Sequence, residues 1–336
     1  MVRAGLIGLG KMGISHCAIL GAHPDVDLVA VCDTSSLLND VFKRHTKFEF
    51  FTDYKKMIDT MKLDAIVIAS PTKFHADMVS YSLQNNINVF CEKPFSLNAE
   101  DGKALAKQAN DLKLVNQVGY HNRFIGTFNE AKRLLSANIL GELYHFVGES
   151  YGPVVLKEKG GTWRSEKGQG GGCLYDYASH TIDLINFILG KTVKVRGTQL
   201  KSIFSVDVED AVYSSVTLQS GLTGQLSVNW SDDTYRKMST SVTVLGKKGK
   251  LIVDATELKV YLKEENKALG FEKGWSTKYI TELTPLVNYN LRGEEYTSQI
   301  DHFIDCVKNK KSTNISSFAS ATDTDELITL LLKDNQ

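Results

Sequence analysis

A glycine-rich turn near the N-terminus constrains the fold of this chain more than any other feature. An apolar run from Val2 to Ile7 leads directly into the turn, and a helical pattern follows it. The turn has the form G-x-G-x-x-G and consists of Gly8, Leu9, Gly10, Lys11, Met12 and Gly13. In this context the first glycine permits the tight turn, the second lets the backbone approach a pyrophosphate, and the third allows close helix packing. The N–H groups that begin the helix then face the diphosphate. The segment therefore predicts a dinucleotide-binding site.

The second predicted strand, residues 28–33, ends on an acid. Asp33 follows Gly13 by 20 residues, the spacing expected for a carboxylate that hydrogen-bonds a ribose 2′-hydroxyl. The same carboxylate repels a 2′-phosphate, and the following Thr34, Ser35 and Ser36 supply no cation to offset it. We therefore expect NAD rather than NADP as the cofactor. The alternative is that Asp33 only caps a turn.

Length, charge and cysteine spacing exclude several classes of protein. The 336 residues exceed the ~250–300 at which a single core usually stops growing, so two domains are expected. The 39 basic and 39 acidic residues cancel, and no strong field favours nucleic acid or a membrane surface as a partner. No apolar stretch approaches the ~18 residues of a membrane span, and the first strand leaves no room for a signal peptide, so a cytoplasmic protein is expected. The five cysteines form no C-x-x-C pair, and no metal is expected.

Residues 1–120 alternate between strand and helix patterns. Strands are predicted at 2–7, 28–33, 64–69, 87–91 and 114–119, with helices near 12–21, 53–61, 73–85 and 98–111. Several of these strands are continuous apolar runs, which are typical of a parallel sheet buried on both faces. We therefore expect a doubly wound α/β domain over residues 1–122.

The pattern changes after residue 122, and a second, α+β domain is expected over 123–336. Helices are predicted near 125–137 and 176–189. Between 193 and 263, short alternating strands favour an antiparallel sheet with one exposed face. Residues 264–294 are expected to be irregular. Helices near 294–308 and 318–333 close the chain, and the C-terminal helix could pack back on the first domain.

Two polar segments follow predicted strands, at the sheet edge where open α/β folds bind ligands. An ordinary polar loop remains the alternative for each residue of the first segment, which carries Ser70, Pro71, Thr72 and His75. The second segment is Glu92-Lys93-Pro94, in which Pro94 favours an extended Lys93. A lysine aimed in this way can shuttle a proton, whereas the alternative is a surface Glu–Lys pair.

The third candidate for chemistry is the helix predicted from about residue 176. Asp176, His180 and Asp183 would share one helix face at this spacing. A histidine held by a carboxylate is a competent acid/base at neutral pH. A buried, structurally satisfied histidine remains an alternative, and a metal site would want a further close ligand.

The chain resembles the Gfo/Idh/MocA oxidoreductase family, which includes inositol dehydrogenase and many sugar dehydrogenases. The resemblance spans essentially the whole chain and rests on motifs that occur in order: the glycine turn 8–13, Glu92-Lys93-Pro94, Gly119-Tyr120-His121-Asn122-Arg123-Phe124, Trp163-Arg164, and Asp176 through His180. It implies a Rossmann domain followed by a domain built on a large, open, mostly antiparallel sheet. In the family the free face of that sheet often makes subunit contacts, so a homodimer or homotetramer is expected.

The resemblance also implies roles for particular residues. The family's catalytic lysine corresponds to Lys93, and its helix aspartate and histidine correspond to Asp176 and His180. Besides the glycine turn and Asp33, the expected cofactor-binding residues are Ser70, Pro71, Thr72, His75, Glu92, Lys93, Asn122, Trp163 and Arg164. The expected substrate contacts are Lys93, Tyr120, Asn122, Asp176 and His180. Apart from the resemblance, the loops 159–172 and 231–238 are expected to shape the pocket, with Tyr235 and Arg236 as candidate contacts.

The predicted function is reversible hydride transfer between nicotinamide C4 and a secondary alcohol carbon of a sugar or cyclitol. His180 is the expected general base, oriented by Asp176, while Lys93 stabilises the reacting oxygen or itself takes the proton. Two alternatives remain, an NAD-dependent glycoside hydrolase that keeps its cofactor bound and an NAD-binding sensor without turnover. The retention of all three residues argues against the sensor.

Overall fold

A computed structural model describes residues 1–35, 37–38, 44, 46–158, 161–287, 289–311 and 314–335. The chain divides into two compact units. Unit 1 contains Met1–His121 and Val287–Thr322, and unit 2 contains Asn122–Leu286 and Asp323–Gln336. Among the described residues, no helix is long and apolar enough to cross a membrane.

Six parallel strands form the sheet of unit 1. They are β1 (Val2–Ile7), β2 (Val26–Cys32), β3 (Glu49–Phe51), β4 (Ala65–Ile68), β5 (Asn88–Cys91) and β6 (Asn116–Val118). Their order across the sheet is β3-β2-β1-β4-β5-β6, and neighbouring strands run parallel. The chain builds outward from β1 on one side and then crosses to β4 on the other. This reversal beside β1 is the switch point at which open α/β sheets bind ligands.

The α-helices of the described residues include two that begin with a side-chain cap. In chain order the α-helices are α1 (Lys11–Ala22), α2 (Tyr54–Thr60), α3 (His75–Gln84), α4 (Ala99–Asp111), α5 (Gly126–Ser136), α6 (Ser179–Leu189), α7 (Ile280–Leu283), α8 (Glu294–Lys308) and α9 (Phe318–Asp334). Asp53 caps α2 and Asn98 caps α4, because each side chain accepts backbone N–H groups that the helix leaves without a partner.

Both faces of the unit 1 sheet are buried, as its continuous apolar strands predict. Ile66 and Val89 pack into one apolar cluster, whereas their chain neighbours Val67 and Phe90 pack into a second cluster with Phe303 of α8. Successive residues enter opposite clusters because side chains alternate across a strand. Full burial of each such side chain contributes about 1.5–3 kcal/mol.

Eight strands form the sheet of unit 2. They are β7 (Leu143–Tyr151), β8 (Thr192–Lys201), β9 (Ala211–Leu218), β10 (Thr223–Asn229), β11 (Ser239–Gly246), β12 (Gly249–Asp254), β13 (Glu257–Leu262) and β14 (Gly274–Tyr279). Their order is β14-β13-β12-β11-β7-β10-β9-β8. The β7–β10 pair is parallel and the other pairs are antiparallel. The predicted fold class, a Rossmann-type parallel sheet followed by a mostly antiparallel sheet, is confirmed.

Two stretches correct the sequence-based prediction. Residues 264–294, expected to be irregular, contain β14 and α7. β14 is the edge strand of its sheet and has no buried residue, so it lacks the apolar alternation that identifies a half-buried strand. β3 is absent from the prediction because an edge strand of three residues carries too little pattern.

Candidate active site

The glycine turn of unit 1 builds a cradle at the N-terminus of α1, where Lys11 and Met12 form its first turn. Gly8 has a φ of +89°, and a Cβ there would lie 2.7 Å from the backbone of the loop after β4. A Cβ at Gly13 would lie 1.8 Å from the carbonyl oxygen of Gly8, so only glycine lets α1 approach β1 this closely. A Cβ at Gly10 would meet no atom within 4 Å. The open space at Gly10 fits the approach of a diphosphate to the first N–H groups of α1.

Asp33 lies directly after β2, and both of its carboxylate oxygens accept backbone N–H groups. Oδ2 accepts from Leu9 at 2.7 Å, and Oδ1 accepts from Ser35 at 2.9 Å. The first bond ties the acid to the glycine turn. Each carboxylate oxygen has a second lone pair, so these contacts leave capacity for a ribose hydroxyl. Ser36 lies outside the described residues.

His75 connects the loops that follow β4 and β5. Its Nε2 lies 2.9 Å from the carbonyl oxygen of Ser70, and its Nδ1 lies 3.0 Å from that of Pro94. Pro71 and Thr72 begin the short helical turn that leads to this histidine. Burial lowers the pKa of His75, and the hydrogen bonds to the two carbonyl groups oppose that shift. Both ring nitrogens face the backbone, so His75 braces the two loops. Its cofactor contact stays a prediction.

Glu92, the first residue after β5, is buried inside unit 1. Its Oε1 lies 2.6 Å from Nε2 of His16 on α1, and its Oε2 accepts the backbone N–H of Lys93 at 3.1 Å. Burial alone would raise the pKa of this carboxyl, but hydrogen bonding and attraction from His16, together with the charge of Lys93, hold the pKa below its usual range. Glu92 is therefore an ionised, internally bonded carboxylate. Lys93 itself is partly buried, and its peptide bond to Pro94 is cis.

In unit 2, Asp176 and His180 lie on the segment that leads into α6. Leu174–Ala178 is a π-helical turn, and α6 begins directly after it at Ser179. The wider turn replaces the first turn of the regular helix that the sequence predicts, and such turns occur frequently at functional sites. Asp176 and His180 are buried, with 6% and 4% of their surface exposed.

Arg164 holds the carboxylate of Asp176. Its Nε donates to Oδ2 at 2.9 Å, and its guanidinium lies 4.7 Å from the centre of the Trp163 ring. Gly171 admits the turn that carries both residues, because a Cβ there would lie 2.5 Å from the carbonyl oxygen of Arg164. Unit 2 thus brings Trp163, Arg164 and Asp176 together. The guanidinium compensates part of the charge of a buried carboxylate.

Asp183, the third residue of the predicted helix face, belongs to a different interaction. Its carboxylate accepts two hydrogen bonds from Arg123, one from Nε at 2.9 Å and one from Nη2 at 2.5 Å. Both side chains are almost wholly buried. This bidentate geometry is the strong form of an ion pair, and it connects the motif after β6 to α6.

The remaining predicted site residues occupy different environments. Tyr120 packs into an apolar cluster of unit 1, and Asn122 is buried. Tyr235 is 37% exposed and stacks on Tyr151, with ring centres 5.7 Å apart. Of the loop 159–172, residues 159 and 160 lie outside the described part of the chain. Among the described residues, no group of three histidine, cysteine or acidic side chains could hold a metal ion.

Two residues that sequence analysis did not single out support the candidate site. His16 could have been found, because it follows Gly13 by three residues and lies on the helix that the glycine motif predicts. Glu209 carries no such signal. It accepts the backbone N–H of Leu174 at 2.8 Å, at the start of the π-helical turn. Gly172 makes room for it, since a Cβ there would lie 2.2 Å from Oε1 of Glu209.

Comparison with known proteins defines the class of protein to which this chain belongs. Residues 2–120 match the model of an oxidoreductase family with an NAD-binding Rossmann fold, and residues 128–252 match the GFO/IDH/MocA C-terminal domain. These matches describe a two-part, NAD-binding oxidoreductase. The chain belongs to the Gfo/Idh/MocA family, and the resemblance read from its motifs is confirmed.

The relatives include dehydrogenases of cyclitols and sugars. The chain is similar to scyllo-inositol 2-dehydrogenase (NAD(+)) of Bacillus subtilis (strain 168), with 24% identity over 98% of this chain and 91% of the relative. It is also similar to inositol 2-dehydrogenase of Rhizobium meliloti (strain 1021), with 29% identity over 65% and 64% of the two chains. The solved structure of levoglucosan dehydrogenase in complex with NADH has a TM-score of 0.88 at 21% identity, covering 99% of this chain and 96% of that chain. The last comparison shows the shared fold.

Proposed function

We propose that this protein is an NAD-dependent dehydrogenase that transfers a hydride between nicotinamide C4 and a secondary alcohol carbon of a sugar or cyclitol. The observation that carries the proposal is the presence of the glycine cradle, Lys93, Asp176 and His180 in one chain of this family. Relatives named as dehydrogenases of inositols support a polyhydroxylated ring as the substrate class.

The cofactor we propose is NAD rather than NADP. Its diphosphate would lie at Gly10 against the N-terminus of α1, and Asp33 would accept a hydrogen bond from the ribose 2′-hydroxyl. The same carboxylate would repel a 2′-phosphate. When bound, the nicotinamide supplies the acceptor of the hydride. Ser70, Thr72 and the other loop residues expected at the cofactor remain proposals.

The protein's own side chains handle the hydroxyl proton. His180 is the proposed general base in the oxidation, and Asp176 orients it. Because Arg164 bonds Asp176 at 2.9 Å, the carboxylate has a fixed position from which to act. Lys93 would hydrogen-bond the reacting oxygen and stabilise the negative charge that develops there, or would itself take the proton.

The test is absorbance of NADH with a panel of inositols, aldoses, amino sugars and nucleotide sugars, using NAD and NADP in turn. Lys93→Ala and His180→Ala should each lower kcat by about 10²–10⁴ while NADH binding is retained. Lys107→Ala, an exposed lysine on α4, and His145→Ala, a partly exposed histidine on β7, are the matched controls. Near-normal turnover in either site variant would reject the role given to that residue.

A negative result would also discriminate among functions. If NADH binds but no substrate on the panel reduces NAD, release of a free sugar from a synthetic glycoside would favour the hydrolase. If the protein binds the cofactor but shows neither dehydrogenase nor hydrolase activity, the result would favour the sensor. We further propose that the protein is a homodimer or homotetramer, which the family resemblance implies.

A further inference from the structure

The buried pair of His16 and Glu92 joins two parts of unit 1 that the proposed function uses separately. His16 lies on α1 just after the glycine cradle, and its side chain has no exposed surface. Its ring packs edge-on against Phe90 of β5, with ring centres 5.3 Å apart. This packing holds Nε2 of His16 at 2.6 Å from Oε1 of Glu92.

The carboxylate of Glu92 in turn fixes the backbone at Lys93. Its Oε2 accepts the N–H of Lys93 at 3.1 Å, while the N–H of Glu92 donates to the carbonyl oxygen of Ile68 at 2.9 Å. Gly119 leaves the space that the carboxylate needs, because a Cβ there would lie 3.0 Å from Oε2. Glu92 therefore contacts α1, its own loop and the segment after β6.

We propose that His16 and Glu92 are positioning residues that set the backbone of Lys93 and couple it to the nucleotide-binding end of α1. The inference rests on the proposed role of Lys93 in proton chemistry. A diphosphate that orders the start of α1 would also fix His16, about one turn further along the helix. The hydrogen bonds through Glu92 then carry this order to Lys93. The role differs from the cofactor contact that the resemblance implies for Glu92.

Three variants of the whole 336-residue chain test the coupling. His16→Phe keeps a ring against Phe90 but removes the group that bonds Glu92. His16→Gln restores a donor, because Nε2 is the same number of bonds from Cα in both side chains. His23→Phe is the matched control, since His23 directly follows α1, is buried, and lies 2.9 Å from the carboxylate of Asp301.

The kinetic readout separates positioning from stability. We expect His16→Phe to lower kcat about 10- to 100-fold, because small displacements of a reacting group have effects of this size. The Kd for NADH should stay within about 3-fold of the wild type, and His16→Gln should recover most of kcat. His23→Phe should lower Tm comparably and leave kcat nearly unchanged. Equal losses of kcat in His16→Phe and His23→Phe, or no rescue by His16→Gln, would overturn the proposal.

Hydrogen exchange tests the link without any turnover. In the free protein, deuterium uptake at residues 92 and 93 should accelerate in His16→Phe, and should match the wild type in His16→Gln and His23→Phe. Unchanged uptake in His16→Phe would refute the link. If the wild type binds NADH but oxidises no substrate, the proposed function fails, and the exchange comparison still decides whether His16 holds the Lys93 segment.

Discussion

At the scale of the residue, some of the charged side chains of the candidate site are held by backbone groups. Asp33 is the clearest case, because its two oxygens accept the N–H groups of Leu9 and Ser35. The sequence left two roles open for this acid, a ribose ligand or a turn cap. The hydrogen bonds establish the cap, and the lone pairs that remain allow the ribose role as well.

Asp33→Asn separates these two roles. The amide keeps one oxygen that can accept an N–H group but removes the charge that would repel a 2′-phosphate. We expect the Kd for NADH to rise about 10-fold, the size of one lost charge-assisted hydrogen bond, and the preference for NADH over NADPH to weaken. Fluorescence titration with both nucleotides measures this. Asp53→Asn, at the acid that caps α2, is the control. If the ratio of the two Kd values is unchanged, Asp33 acts only as a turn cap and not as a ribose ligand.

At the scale of the element, α6 combines two features that a helical pattern does not distinguish. It begins after a π-helical turn that carries Asp176, and further along it presents Asp183 to Arg123. Burying an unpaired charge costs several kcal/mol, so the pair with Arg123 strongly favours one position of α6. The first feature belongs to the candidate site, and the second to the stability of unit 2.

Removal of one partner from the buried ion pair should be far more damaging than removal of both. Arg123→Met leaves Asp183 buried without compensation, and we expect the free energy of unfolding to fall by about 3–5 kcal/mol. The double variant Arg123→Met/Asp183→Leu should recover much of that loss. Urea denaturation measures both.

Arg133→Met provides the comparison for this pair. Arg133 pairs with Glu130 on α5, and its side chain is 53% exposed, so its loss should cost less than about 1 kcal/mol. If the double variant is no more stable than Arg123→Met, the pair stabilises the fold by more than the cancellation of two buried charges.

At the scale of the whole molecule, the central strands β7, β11 and β12 of the unit 2 sheet largely alternate between buried and partly buried residues, so one face of the sheet is less covered than the other. Gly148 faces α6, since a Cβ there would lie 2.6 Å from Ile185. The adjacent Val147 therefore points to the opposite face, where it pairs across the strands with Thr243, which in turn pairs with Ile252. These three neighbours are uncharged and only partly buried. Such a face suits contact with a second copy of the chain, as proposed above.

Thr243→Arg should disrupt that contact, because it would place an unpaired charge within the proposed contact surface. Light scattering of the wild type should give a mass of two or four chains, and the variant should approach the 37.3 kDa of one chain. Leu112→Arg, at an exposed leucine of unit 1, should leave the mass unchanged. A monomeric wild type would contradict the proposed assembly.

The local patterns of the sequence were sufficient for much of the fold and for the identity of the motifs. The glycine turn predicted β1, the tight turn and α1, because backbone sterics at Gly8 and Gly13 act between near neighbours. The apolar run 64–69 likewise predicted a strand buried on both faces, which is β4. Pattern failed at β14 and β3, where edge position leaves no buried face to impose a period.

By itself, then, the sequence determined the class of sheet, which depends on short-range periodicity, while its motifs carried the resemblance to the family and named the candidate site residues. Only the tertiary structure decided which partner each residue has. His16 meets Glu92 across 76 residues of sequence, Glu209 caps a turn 35 residues earlier, and 287–322 join unit 1. Such contacts form when packing brings segments that are distant in the sequence within hydrogen-bond distance. A local sequence pattern does not encode which distant segments will meet.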